Sequence, residues 1–175
     1  MTKVFNWLHK RECSIFHWIN GKWQYRILSM YFKSISNLGG ATFSISICIL
    51  LLLVSSEGLK TAAIQSLFAL FISHVPVQIS KKTYPRKRPY QVFPNTVTIS
   101  RLLEDHSFPS GHTTAIFAVT TPLILWNPLL GIALLPLSFS VALSRIYLGL
   151  HYPSDVITGM LLGICSAILL QQLPI

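Results

Sequence analysis

The chain has 175 residues, of which 51% are hydrophobic and only 11% charged, with a formal net charge of +9. Soluble domains carry about a quarter of charged residues, and the apolar residues here gather in runs long enough to span a bilayer. Together these exclude an ordinary soluble domain. The basic excess reads as membrane-flanking Lys and Arg facing anionic lipid headgroups, so neither a nucleic-acid partner nor an obligate protein partner is expected.

By the length prior, residues 1–175 form a single membrane-embedded domain. Its expected architecture is an all-α bundle of about five transmembrane helices. Residues 1–37 set Phe5, Trp7, Ile15, Phe16, Trp18 and Trp23 among Lys10, Arg11, Lys22 and Arg26. That mixture is too charged to span and suits one or two amphipathic helices lying in the headgroup layer. No pattern of a cleavable signal peptide is seen there. Gly39-Gly40 then breaks the chain, and 38–175 is expected to hold the transmembrane bundle.

A first span is expected at 41–56 and a second at 61–79, the latter containing His74 and Pro76. A lone histidine in such a helix reads first as structurally paired, with a place in the site as the alternative. The segment 81–110 is a long polar loop in which Pro85, Pro89 and Pro94 oppose regular helix. A third span runs over 111–126 and ends at Trp126-Asn127-Pro128. The fourth, 129–150, is interrupted by Pro136, which is expected to kink it. The fifth, 154–173, carries Gly159 and Gly163, a small-xxx-small spacing for close helix packing. Cys13, Cys48 and Cys165 show no metal-ligand spacing and are expected to be buried free thiols.

Three polar clusters stand out against this apolar background: Lys81-x6-Arg88-Pro89, Pro109-Ser110-Gly111-His112 and Ser144-Arg145-x5-His151-x3-Asp155. Five spans bring all three to one side of the membrane. Ionisable groups at a membrane border are costly to hold without a purpose. From His151 to Asp155 is about one helical turn, so the carboxylate can reach a ring nitrogen and make the other nitrogen a better nucleophile or base. Arg145 offers a planar fork of donors suited to phosphate. Ser110 is a natural N-cap, and Gly111 lets a ligand approach unpaired amides at a helix start. His112 stands beside that anion site, where it can donate a proton. Lys82, Arg86 and Lys87 read as solvated basic loop residues.

These motifs, in this order and spacing, resemble the type 2 phosphatidic acid phosphatase family, which shares its site with vanadium haloperoxidases. The resemblance covers about 81–155. It implies metal-independent hydrolysis of a phosphate ester through a phosphohistidine intermediate, with no cofactor. By that resemblance His151 attacks phosphorus with Asp155 hydrogen-bonded to it, and His112 protonates the departing lipid oxygen and then helps activate water. Lys81, Arg88, Arg145, Ser110 and the Gly111 amide would bind the phosphate oxygens. The residues themselves are compatible with this, since phosphoryl transfer needs positioning, charge neutralisation and an acid at the leaving group. With five carboxylates in the whole chain, no acidic cluster for a metal is present.

A site in the membrane implies a lipid substrate: phosphatidic acid, phosphatidylglycerol phosphate, diacylglycerol pyrophosphate or a polyprenyl pyrophosphate. Some polyprenyl pyrophosphate phosphatases of this type carry Asp where this chain has Gly111, which weighs slightly towards a phospholipid. A lipid phosphotransferase of the same mechanism is an alternative, and a transporter or binder holding an anionic headgroup with its cations is another. The resemblance implies a plasma-membrane protein working on the outer face, whereas the Lys and Arg distribution points to the cytoplasmic side.

Overall fold

The structure is a computed structural model and describes residues 3–54, 56–98 and 104–172. Residue 55, Arg101 and residue 173, which fall in expected elements, lie outside those ranges, as does the side chain of Phe5. The described residues form helices α1 (Lys3–Lys22), α2 (Arg26–Ser36), α3 (Ala41–Val54), α4 (Glu57–Thr83), α5 (Pro89–Val92), α6 (Gly111–Trp126), α7 (Gly131–Tyr147) and α8 (Pro153–Gln171). The chain is an integral membrane protein of helical architecture. By length and composition three helical segments can cross a membrane: Glu57–Thr83, Pro128–Tyr147 and Pro153–Gln171. A fourth crossing results if Arg26–Gly39 and Ala41–Val54, which meet at 59°, form one broken span.

Five spans were expected from the apolar runs, and α3 and α6 account for the difference. They have 14 and 16 residues, short of the roughly 20 that a straight crossing needs. Helix α6 lies at the centre of the bundle. Its residues from Thr113 to Thr120 are all buried, together with Pro122 and Leu123, between α4, α7 and α8. Such a helix meets protein on most sides, so its hydroxyls need protein partners. Thr120 shares a hydrogen bond of 3.0 Å with Ser138 of α7, and the α6 carbonyl of Val119 accepts from Ser66 of α4 at 2.8 Å.

Residues 1–37 do more than rest on a membrane surface. Phe16, Ile19 and Asn20 of α1 and Phe32 and Ser36 of α2 are buried. Phe16 stacks on Phe93 at 5.9 Å, and Phe32 lies against Tyr147 at 4.5 Å between ring centroids. Asn20 donates to the carbonyls of Val97 and Tyr147 and accepts the Val97 N–H. Trp7, Leu8, Ile15 and Trp18 face outward. Both helices are thus amphipathic, with one face closing the core instead of both facing lipid and water.

Helix α4 runs on to Thr83, so Lys81 sits on its last turn instead of in the loop. Pro76, Pro122 and Pro136 are each held inside a helix. All three cysteines are free, but only Cys48 is buried; Cys13 is half-buried and Cys165 exposed. The expected burial of all three thiols is therefore corrected. Cys165 sits on the outer side of α8, where an apolar thiol can face lipid as readily as core.

Gly159 and Gly163 bring α8 against α6. A Cβ at Gly159 would come within 2.6 Å of the Ser110 carbonyl oxygen, and one at Gly163 within 2.6 Å of the Thr114 oxygen and 2.9 Å of the Ala118 nitrogen. These neighbours are backbone and cannot swing aside. Gly163→Ala is expected to destabilise the detergent-solubilised protein by about 1–3 kcal/mol through overpacking, read as a lower melting temperature. An unchanged melting temperature would show that the two helices have slack.

Candidate active site

The site is built where α7 ends and α8 begins. After Tyr147 the chain turns through Gly149, whose φ of +74° belongs to the left-handed region that glycine occupies freely. Thr96, Val97 and Thr98 pack over it closely enough that a Cβ would lie 2.6 Å from the Thr96 methyl. The Arg145 carbonyl accepts the N–H groups of Leu150 and His151 at 3.1 and 3.2 Å, which folds His151 back into the protein. His151 is 1% exposed. Pro153 then opens α8, and the Asp155 carboxylate reaches back to the N–H of Tyr152 at 2.8 Å, one half of a capping box.

Asp155 is fully buried and heavily engaged. Its Oδ2 accepts from Ser107 Oγ at 2.5 Å as well as from the Tyr152 amide, and its Oδ1 accepts from Arg86 at 2.7 Å. The expected hydrogen bond to His151 is replaced by a longer approach, Nδ1 to Oδ2 at 3.7 Å. The reason is competition: two donors already draw that oxygen. On the other side of the ring, Nε2 lies 3.0 Å from Arg88 Nη1, which also donates to the Leu150 carbonyl at 2.9 Å. A guanidinium only donates, so Nε2 is the acceptor and the ring proton belongs on Nδ1, facing Asp155. Burial pushes His151 down to about 4, Asp155 working against this and Arg88 and Arg145 adding to it. The imidazole is neutral at pH 7, and its Nε2 lone pair accepts from Arg88.

Arg88 is also fully buried. Its remaining donors go to the Asp105 carbonyl at 2.8 Å, the His106 carbonyl at 3.3 Å and the Asp105 carboxylate at 2.6 Å. Lys81 pairs with the other oxygen of the same carboxylate. Burial works to raise the Asp105 carboxyl, but the bond and charge of Lys81, with Arg88, outweigh it and hold it down at about 2.

At the start of α6, Ser110 occupies the N-cap position, yet its side chain makes no cap bond. The hydroxyl bonds Thr113 Oγ1 at 3.0 Å instead, while the Ser110 amide donates to the Asp155 carbonyl at 3.0 Å. The expected side-chain cap is corrected for that reason. Arg145, 3% exposed, donates to Ser36 Oγ at 2.5 Å. His112 faces the bend between α2 and α3, where a Cβ on Gly40 would stand 3.9 Å from its Nε2. A cavity of about 450 Å³ opens there, lined by Asn37, Gly40, Thr42, Phe43, Ser46 and His112.

The first and second motifs each meet the third directly, Arg88 at His151 and the Ser110 amide at the Asp155 carbonyl, and within the first Lys81 and Arg88 share Asp105. Sequence reasoning missed Ser36, Glu12, Asp105, Ser107 and Arg86. Arg86 was read as solvated, but it pairs with Asp155 and with Glu12 at 2.5 Å and lies over the Tyr152 ring at 3.9 Å. Its place two residues before Arg88 is the only local hint. Lys82 and Lys87 are exposed, as expected. His74 Nδ1 donates to the Leu70 carbonyl of its own helix at 2.8 Å, which fits the structural reading.

A family model described as the PAP2 superfamily matches residues 62–174. The bacitracin transport permease protein BcrC of Bacillus licheniformis is 34% identical over 112 residues, 62% of this chain and 54% of that protein. An undecaprenyl-diphosphatase of Sulfolobus acidocaldarius is 32% identical over 116 residues, 64% of this chain and 55% of that protein. This chain thus spans about half the length of these curated relatives. Among solved structures, Aquifex aeolicus LpxE superposes with a TM-score of 0.78 at 25% identity, over 92% of this chain and 94% of that one.

The Asp105 pairs carry a testable pH signature. A carboxyl held below its ordinary value stabilises the fold above about pH 4, its unfolded pKa, and that contribution is lost as pH falls through about 2. Asp105→Asn is expected to melt below wild type at neutral pH, and the gap should close between about pH 4 and pH 2. A gap that stays constant in that window would mean the Lys81 and Arg88 pairs add nothing.

Proposed function

This chain belongs to the PAP2 superfamily, and from that premise we propose that it is a membrane lipid phosphatase working through a phosphohistidine intermediate. One observation carries the proposal: a neutral imidazole nitrogen lies 3.0 Å from a buried guanidinium, with a buried carboxylate behind the opposite ring nitrogen. A phosphate drawn by Arg88 comes to rest against Nε2 of His151. The incoming phosphate monoanion hands its proton to His112; Nε2 then attacks phosphorus, the bond from phosphorus to the lipid oxygen breaks, and His112 gives that oxygen the proton. As the new P–N bond forms, Asp155 stabilises the positive charge on the ring. Water, deprotonated by His112, then attacks phosphorus, the P–N bond breaks and inorganic phosphate leaves.

Lys81, Arg88, Arg145, Ser110 and the Gly111 amide neutralise the phosphoryl oxygens, the part that a divalent cation plays in other phosphatases. We propose that the reaction is metal-independent on that ground. The substrate is a lipid phosphate monoester or diphosphate. The name of the Sulfolobus relative supports a polyprenyl diphosphate, and the glycine at 111 supports a phospholipid such as phosphatidic acid or phosphatidylglycerol phosphate. Residues 1–175 act as one catalytic unit, a reading supported by the buried contacts of α1 and α2.

The test is phosphate release by the detergent-solubilised protein from a panel of lipid phosphates with excess chelator. Release is expected, vanadate should inhibit it, and His151→Ala should lower it by on the order of 10³-fold or more. Failure to release phosphate from any member of the panel would overturn the proposal.

We further propose that the site opens on the outer face of the plasma membrane. A single cysteine at Lys87, in a background with Cys13, Cys48 and Cys165 replaced, should react with a membrane-impermeant maleimide in intact cells. Labelling only after lysis would put the site in the cytoplasm.

A further inference from the structure

A carboxylate withdrawn entirely from water is costly unless a cation and donors satisfy it. Asp155 has the donors Ser107 and the Tyr152 amide on Oδ2, but neither carries charge, and His151 beside it is neutral at pH 7. The cation is Arg86, whose Nη1 lies 2.7 Å from Oδ1 and 2.8 Å from Ser154 Oγ. Its Nη2 is held at 2.5 Å by Glu12 of α1, and the second oxygen of Glu12 takes Ser154 Oγ at 2.5 Å. The Tyr152 ring, 3.9 Å from the guanidinium carbon, closes one face. Arg86 is therefore gripped by two carboxylates, a hydroxyl and an aromatic ring drawn from α1 and from the start of α8.

We propose that Arg86 and Glu12 are positioning residues for the Asp155–His151 pair, an inference that rests on the phosphatase reading above. Arg86 keeps Asp155 ionised and fixes the plane of its carboxylate, so that Oδ2 stays towards Nδ1 of His151 and Nε2 stays towards the phosphate. Glu12 fixes Arg86 in turn. Arg86 spends Nη1 on Asp155 and Ser154 and Nη2 on Glu12, and so braces the carboxylate behind the ring. Arg88, two residues on, differs in meeting Nε2 itself. The amphipathic α1 thus belongs to the catalytic apparatus through one side chain.

The experiment uses the full chain in detergent with whichever short-chain lipid phosphate the wild type hydrolyses fastest. Arg86→Gln should lower kcat on the order of 10²-fold, with KM within about threefold, because the loss falls on the nucleophile's orientation and not on binding. Arg86→Lys, which keeps the charge, should recover at least about tenfold of that loss. Glu12→Gln should fall between wild type and Arg86→Gln, and the double variant should be no worse than Arg86→Gln alone. Lys87→Gln, at an exposed neighbour, should leave kcat unchanged.

The proposal is overturned if Arg86→Gln raises KM at constant kcat, if it matches wild type, or if Lys does no better than Gln. A second readout does not depend on turnover. In 15N-histidine spectra the signal lost in His151→Gln should report the Nδ1–H tautomer in wild type and a mixed or altered one in Arg86→Gln. An identical His151 signal in both would overturn the proposal even where Arg86→Gln is too unstable to assay. A wild type that releases no phosphate, with a His151 signal that still responds to Arg86→Gln, would sink the phosphatase reading alone.

Discussion

A single buried carboxylate holds together the parts of this protein that the chain keeps far apart. Asp155 sits in the first turn of α8, yet its side chain collects Ser107 from the loop before α6, Arg86 from the loop after α4 and the amide of Tyr152. Its own backbone carbonyl accepts the Ser110 amide at the head of α6. In water these bonds would exchange freely with solvent and be worth little. Inside the bundle an unsatisfied partner has nowhere to turn, so the groups around Asp155 are locked by the cost of losing one another.

The glycine stripe of α8 makes that collection possible. With side chains at 159 and 163, α8 would stand off from α6, and the Ser110 amide would leave hydrogen-bond range of Asp155. Close packing of two helices therefore sets the distance between the two motif-bearing helix starts. Helix ends are suited to this task because their unpaired amides face the same way as the loops that carry His151 and Arg88. The apolar body of the bundle supplies rigidity, and the chemistry is confined to one end.

How much of this was readable from the sequence follows from range. The pair His151 and Asp155 is local, and its spacing gave it away. Arg88, Ser110, His112 and Arg145 were legible because their motifs lie at recognisable positions relative to the spans. Asp105 and Ser107 were not, since a polar loop offers no period that says which residue turns inward. Glu12 and Ser36 lie some 140 and 110 residues from the partners they meet in the site, and amphipathic patterning marks only a helix with two faces, not what covers one of them. The apolar runs located the helices of the bundle well, but they could not say that α6 lies at its centre, surrounded by protein.

The arrangement also sets how an anion can be received. Lys81 and Arg88 are not idle cations; both pair with Asp105, which offsets one of their two charges and is about half exposed where Arg88 is not. On the proposed function, a phosphate entering the site competes with Asp105 for the same donors. What counts is then an exchange of one anion for another, far smaller than the bare attraction of a phosphate to two buried cations. Such an exchange spares the free protein the cost of unpaired buried charge. On the same reading, the guanidinium that would recognise the phosphate is also the one that now lies against Nε2 of His151.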